Sequence, residues 1–292
     1  MENIQLLVRK IYNRKKEIFK FFLKNKTDMV DLRDESCVNK LKEAKNKLYC
    51  VGVGPGDPSL ITIRGKEIID SSEVIFCPVK SVHSESFALD IAKKICDLQD
   101  KEIYKLIFPM TTKEDKAKPY WISAYEKIRE KIFEGKKCVF IVEGDPLLFS
   151  TFNNILNIIK ERNEFDVEIV PGISSFQILA SLLAIPIGDG DEIVVIMPAS
   201  IKEKSGCRTA ELRPEFDEIL KLASTIFVFK SGRVIDEIKR KLEENKSKNG
   251  KFLAFFGELC GTENEFVSPL EELNKKEFHY FSTLMIKKIS ED

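Results

Sequence analysis

The segment Tyr49-Cys50-Val51-Gly52-Val53-Gly54-Pro55-Gly56-Asp57-Pro58 is a short apolar run that passes directly into a turn holding three glycines and two prolines. The run reads as a buried strand and the turn as a tight connection to a helix, placed where a ligand can approach. A dinucleotide fingerprint needs G-x-G-x-x-G ahead of a helix N-terminus aimed at a pyrophosphate. Asp57 stands where the last glycine of that pattern belongs. A carboxylate there repels a pyrophosphate, and Pro55 removes one backbone N–H from a phosphate cradle. The turn therefore suits an uncharged or cationic ligand.

The pattern of a strand followed by a polar loop recurs along the chain. Cys138 to Val142 leads into Glu143-Gly144-Asp145-Pro146, and Val167 to Val170 into Pro171-Gly172-Ile173-Ser174-Ser175. Thr225 to Phe229 leads into Lys230-Ser231-Gly232-Arg233, and Phe252 to Phe256 toward Glu258-Leu259-Cys260-Gly261-Thr262. Each run is short, apolar and rich in β-branched or aromatic residues, with amphipathic helical stretches between most pairs. That alternation is the α/β signature, and in such sheets ligands sit beyond the carboxyl ends of the strands. Helices are expected around 61–69, 87–95 and 121–133, with a further one starting near Leu147. A strand is expected at 74–77, and the segment 201–214 reads as a surface loop.

These residues resemble the tetrapyrrole (corrin/porphyrin) methylases. The resemblance rests on the turn Gly52 to Pro58 with Leu60-x-Thr62 behind it, Gly144-Asp145-Pro146, Pro171-Gly172-Ile173-Ser174-Ser175 and Gly261-Thr262, in the family's order and spacing. Within the family the chain is most similar to the branch that methylates carbon 20 of precorrin-2 or cobalt-factor II. The residues behind that are Phe149-Ser150-Thr151-Phe152, Pro109-Met110 followed by Trp121, Lys230 to Arg233, and Tyr280-Phe281-Ser282, expected in the last strand.

The resemblance covers about residues 47–290 and implies a two-lobed α/β fold, each lobe a mixed sheet with helices and the ligand site between them. The expected lobes are 47–165, carrying a tetrapyrrole trough, and 166–292 on the cofactor side. S-Adenosyl-L-methionine is the implied cofactor, with Pro55, Glu143, Gly144, Asp145, Leu148, Thr151, Ser174, Ser175, Ser231 and Gly261 at the positions that contact it. Asp57, Arg64, Lys80, His83 and Met110 are the implied trough residues, with basic groups matching substrate carboxylates. A homodimer is the implied assembly. Where the uroporphyrinogen III methylating branch has an acid after the second strand, this chain has Cys77-Pro78-Val79-Lys80. That argues against uroporphyrinogen III as substrate and leaves Asp57, Glu143 or solvent as candidate proton acceptors.

Methyl transfer from a sulfonium to carbon is chiefly a matter of holding two molecules in near-attack geometry. It needs no nucleophilic side chain and no metal, and the sequence contains no triad or hydrolase elbow. The alternatives are methyl transfer to another tetrapyrrole carbon and a non-catalytic tetrapyrrole-binding protein.

Composition bounds the rest. At 292 residues and 43% hydrophobic the chain can bury a large core, and its 47 basic and 47 acidic residues cancel. A neutral balance gives no electrostatic case for a nucleic-acid partner. The seven cysteines include no Cys-x-x-Cys pair, and several lie in apolar strands, which reads as reduced thiols in a cytoplasmic protein. His83 and His279 are the only histidines, so histidine-based metal binding is not expected. Ahead of the family region, Ile4, Leu7, Val8, Ile11, Ile18 and Phe22 recur at helical spacing opposite a face of lysines and arginines. Residues 1–46 are read as an amphipathic basic helix with a linker, lacking the unbroken apolar core of a membrane span.

Overall fold

The structure is a computed structural model that describes residues 46–289, apart from 112, 205–206 and 250. The expected N-terminal helix and its linker lie outside the described residues. Two five-stranded sheets and a hairpin make up the described body.

The first sheet contains β1 (Lys47–Gly52), β2 (Val74–Val79), β3 (Glu102–Ile107), β4 (Cys138–Val142) and β5 (Asp166–Val170). Its order is β3-β2-β4-β1-β5, and every pairing is parallel. Parallel sheets bury both faces. On one face Cys50, Phe76, Phe140 and Val142 join Tyr125 and Ile128 of α3 (Glu114–Phe133) and Phe152 and Ile155 of α4 (Phe152–Arg162). On the other, Val51, Ile75, Val139 and Ile141 join Ile69 of α1 (Ile63–Ser71) and Leu89 and Ile91 of α2 (Phe87–Ala92). Burial on both sides is why β1, β2 and β4 read as nearly continuous apolar runs.

The second sheet has β6 (Val194–Pro198), β9 (Thr225–Phe229), β10 (Phe252–Glu258), β11 (Phe266–Pro269) and β12 (Ser282–Lys288), in the order β11-β10-β12-β9-β6. Here β12 runs antiparallel to both β10 and β9, and β6 runs parallel to β9. Its faces pack against α5 (Ser175–Leu183) on one side and against α6 (Phe216–Leu222) and α7 (Ile235–Asn249) on the other. Between β6 and α6, β7 (Ser200–Lys204) and β8 (Cys207–Glu211) form an antiparallel hairpin.

Several expectations change. The expected division at 165/166 falls ahead of β5, which hydrogen-bonds along β1 and belongs to the first sheet, so the chain crosses to the second lobe after Val170. The stretch at 201–214 holds the hairpin. Helix α3 begins at Glu114, seven residues before Trp121, and takes Pro119 into its second turn. Helix α4 begins at Phe152, not near Leu147. Tyr280 and Phe281 precede β12, and only Ser282 of that trio lies in the strand.

The carboxyl ends of β1, β4 and β5 converge on a backbone junction. A Cβ on either Gly52 or Gly172 would overlap the carbonyl oxygen of Gly144. Glycine is required there because three chains pass with no room for a side chain.

Candidate functional site

Beyond that junction lies a cavity enclosed by both lobes. The first lobe contributes Pro55, Phe87, Glu143 to Asp145 and Leu148 to Thr151, while Ser174 and Ser175 open α5 beside them. The second lobe contributes Phe229 at the end of β9 and Lys230 after it, Leu259 and Cys260 after β10, and Tyr280 to Thr283 at the start of β12. Topology explains the convergence: β12 is antiparallel to both neighbours, so its beginning lies beside their ends.

The Glu143-Gly144-Asp145 turn is built by hydrogen bonds to the rest of the first lobe. The N–H of Val53 donates to Val142 O (2.9 Å) and that of Gly144 to Gly54 O (2.8 Å). Asp145 accepts from the N–H of Leu147 (2.9 Å) and of Gly172 (3.1 Å), one on each carboxylate oxygen. Its observed role is therefore to tie the loops after β4 and β5 together. Gly144 has φ +66°, and no atom closer than 4.0 Å faces the Cβ it lacks. A side chain there would be strained and would project into open space.

On both sides of the cavity the backbone is strained without glycine. Phe149, Lys230 and Leu259 have φ of 52°, 58° and 52°. The left-handed region costs a non-glycine residue roughly 1–2 kcal/mol, and such strain gathers where surrounding structure over-determines it. Here the N–H of Lys230 donates to Ser282 O (2.7 Å) and that of Leu259 to Phe281 O (2.9 Å). The Ser175 and Thr283 hydroxyls, 3.1 Å apart, join α5 to β12 within the second lobe, and the lobes meet through the tilted Phe87 and Phe281 rings, 4.9 Å between centroids.

Electrostatics set the character of the walls. The Cys260 thiol, in apolar surroundings, is pushed up to about 12 and stays neutral. Glu143 retains some exposed surface, yet enough protein surrounds its carboxyl that desolvation raises its pKa, opposed by Lys230 and Lys80. The ammonium groups of Lys80 and Lys230 lie 5.2 and 5.0 Å from the centroid of the Tyr280 ring. The Ser231 hydroxyl, one residue behind the wall, is buried without a hydrogen-bond partner among the described residues.

Of the residues expected to contact a cofactor, Pro55, Glu143, Gly144, Asp145, Leu148, Thr151, Ser174 and Ser175 line this cavity, and Ser231 lies just behind it. Gly261 does not; it lines a second, more open cavity together with Asp57, Asp90, Lys94 and Glu265. Gly56 packs against Gly261 and Thr262, so the Gly-Pro turn separates the two spaces. Asp57 accepts from the N–H of Ser59 at the start of a 3-10 turn, which holds its pKa below the usual range.

The expected trough residues do not form one group. Lys80, the exposed His83 and Met110 follow β2 and β3 at the carboxyl edge of the first sheet. Arg64 is paired with Glu168, midway along β5 at the opposite border of the sheet, so the structure removes it from the trough. Phe87, Phe229, Lys230, Leu259, Tyr280 and Phe281 were not anticipated as site residues. The aromatic density of Tyr280-Phe281 just ahead of a strand was the available signal. No cluster of three or more metal-ligating side chains occurs among the described residues, and no described helix is long and apolar enough to cross a membrane.

The family of tetrapyrrole (corrin/porphyrin) methylases matches residues 47–274. The chain belongs to that family. This methylase is 33% identical over 253 residues to a probable cobalt-precorrin-2 C(20)-methyltransferase of Methanocaldococcus jannaschii, an alignment covering 86% of this chain and 99% of the relative. It is 24% identical to a precorrin-2 C(20)-methyltransferase of a Sinorhizobium species, over 82% of this chain and 94% of the other. Its fold is similar to that of the uroporphyrin-III C-methyl transferase of Thermus thermophilus complexed with S-adenyl homocysteine. The TM-score is 0.56 at 17% identity, with 82% of this chain and 92% of that one covered.

Proposed function

We propose that this methylase transfers a methyl group from S-adenosylmethionine to carbon 20 of precorrin-2 or its cobalt form, in cobalamin biosynthesis. The observation that carries the reading is the similarity to the Methanocaldococcus relative across nearly its whole length, and the Sinorhizobium relative supports it. The bound S-adenyl homocysteine of the Thermus protein supports the choice of cofactor.

S-Adenosylmethionine would supply an activated methyl group carried on a sulfonium. The cavity fits such a ligand: the Gly144 turn leaves space for close backbone approach, and Phe229, Tyr280 and Phe281 offer aromatic surface to a cation. Pro55, Gly144, Leu148, Ser174 and Ser175 would hold it, with Asp145 fixing the loops that do so. The left-handed Lys230 and Leu259 keep the second-lobe wall in place and help exclude water. Lys80, His83 and Met110 lie along the edge where a macrocycle would rest beside the cavity, and the lysines supply countercharge for its carboxylates.

Catalysis is then mostly positioning, with both partners held by preformed walls. The reading includes a homodimer, checked by light scattering of the purified protein. Mass spectrometry after incubation with S-adenosylmethionine tests the reaction: precorrin-2 or cobalt-factor II should gain one methyl and uroporphyrinogen III none. The reverse pattern would overturn the substrate.

A further inference from the structure

The carboxylates near the main cavity differ in what already occupies them. Asp145 uses both oxygens on the N–H groups of Leu147 and Gly172. Asp57 faces the second cavity and accepts from Ser59. Glu258 is buried and bound by Lys275 and by the N–H of His279. Glu143 alone among these lines the main cavity while its carboxyl accepts, among the described residues, only from its own backbone N–H. A carboxylate has about four accepting sites, so most of its capacity meets no donor among the described residues.

Lys230 after β9 and Tyr280 before β12 line the same cavity, and Lys80 after β2 reaches the Tyr280 ring. The two ammonium groups lie within 5.2 Å of the Tyr280 ring centroid, and both act on Glu143 electrostatically. The other titratable groups lining the cavity are Asp145, already hydrogen-bonded, and Cys260, neutral.

We propose that Glu143 is the general base of the reaction, taking the proton released by the methylated carbon beside the ammonium groups of Lys230 and Lys80. The inference rests on the reading of the chain as a tetrapyrrole C-methyltransferase. The acceptor carbon supplies the electron pair of the new carbon–methyl bond, and the bond from methyl to sulfur breaks with its pair left on sulfur. The pair of the carbon–hydrogen bond then returns to the macrocycle as the proton passes to a carboxylate oxygen of Glu143. No oxidant or reductant is needed. Burial lifts the Glu143 pKa above the ordinary glutamate range, which strengthens the base, and the two lysines oppose that rise.

Glu143→Gln preserves shape and removes the base. With cobalt-precorrin-2 as acceptor, kcat should fall about 100- to 10,000-fold, while the affinity for S-adenosylhomocysteine by calorimetry changes less than about threefold. In the cofactor-free protein, the carbon-13 resonance of the Glu143 carboxyl, assigned by its loss in Glu143→Gln, should titrate above the ordinary glutamate range. Lys230→Met should move that titration, and the acidic limb of kcat/KM, further up in pH. Wild-type turnover in Glu143→Gln overturns the inference, as does lost cofactor affinity with kcat retained, or a titration indifferent to Lys230→Met. A wild-type protein that methylates no tetrapyrrole rejects the functional reading instead, and the resonance titration, which needs no acceptor, separates the two failures.

Discussion

The two lobes build their halves of the cavity wall by opposite means. The first brings parallel strand ends together so tightly that Gly52 and Gly172 have no room for a Cβ against the Gly144 carbonyl. The second reaches the cavity through side chains, and two of its wall residues, Lys230 and Leu259, hold left-handed backbone without being glycine. In the first lobe the absent side chain is what matters, since it lets backbone meet backbone. In the second the side chain itself is the wall, and the strain of holding it is offset by hydrogen bonds to the residues entering β12.

Substitutions test that contrast. Gly172→Ala should be the most damaging, because backbone cannot yield as a side chain does; a loss of about 3 kcal/mol or more is expected by urea unfolding. Gly144→Leu should fold, with about 1–2 kcal/mol lost to left-handed strain. Its affinity for S-adenosylhomocysteine should drop about 100-fold or more by calorimetry, equivalent to about 2.7 kcal/mol. Unchanged affinity would mean the cofactor lies elsewhere. Leu259→Gly should leave unfolding free energy within about 1 kcal/mol of wild type, as relieved strain offsets lost contact; a cost matching that of Gly172→Ala would erase the contrast.

The smallest effect concerns an ion pair far from both walls. Lys241, on α7, holds the Asp217 carboxyl below its usual range, helped by Asn245. A carboxylate whose pKa is lowered on folding adds stability above its unfolded pKa near 3.9, and this is lost as pH falls through the folded value. Lys241→Met should therefore cost about 1 kcal/mol or less at neutral pH, screened by solvent. Its difference from wild type should vanish in unfolding curves taken well below pH 4.

The sequence carried much of the first lobe openly. Cys138 to Val142 reads as an apolar run because both faces of β4 are buried, and Gly144-Asp145-Pro146 names its own turn. β3 escaped notice because it is a half-exposed edge strand, Glu102-Ile103-Tyr104-Lys105, in which charged residues interrupt the apolar ones. The hairpin at 200–211 reads as a charged loop for lack of apolar alternation. The Glu114 start of α3 was hidden by Pro119, which ordinarily argues against a helix continuing through it. In the site, the first-lobe residues were legible because glycine and proline mark them. Lys230 and Leu259 were not, since nothing in a lysine or leucine announces a positive φ. Arg64 was misplaced because its partner Glu168 is distant in sequence and adjacent only across the edge of the sheet.

The order β3-β2-β4-β1-β5 also has a consequence in time. β1, the first strand of its sheet to leave the ribosome, has as neighbours β4 and β5, the last two. Translation at about 5–20 residues per second leaves Leu48, Cys50 and Val51 without their sheet partners for several seconds. Such long-range pairing folds slowly. The nascent chain therefore carries an unpaired apolar strand through most of the synthesis of its first lobe, a window in which chaperone binding and aggregation compete for it.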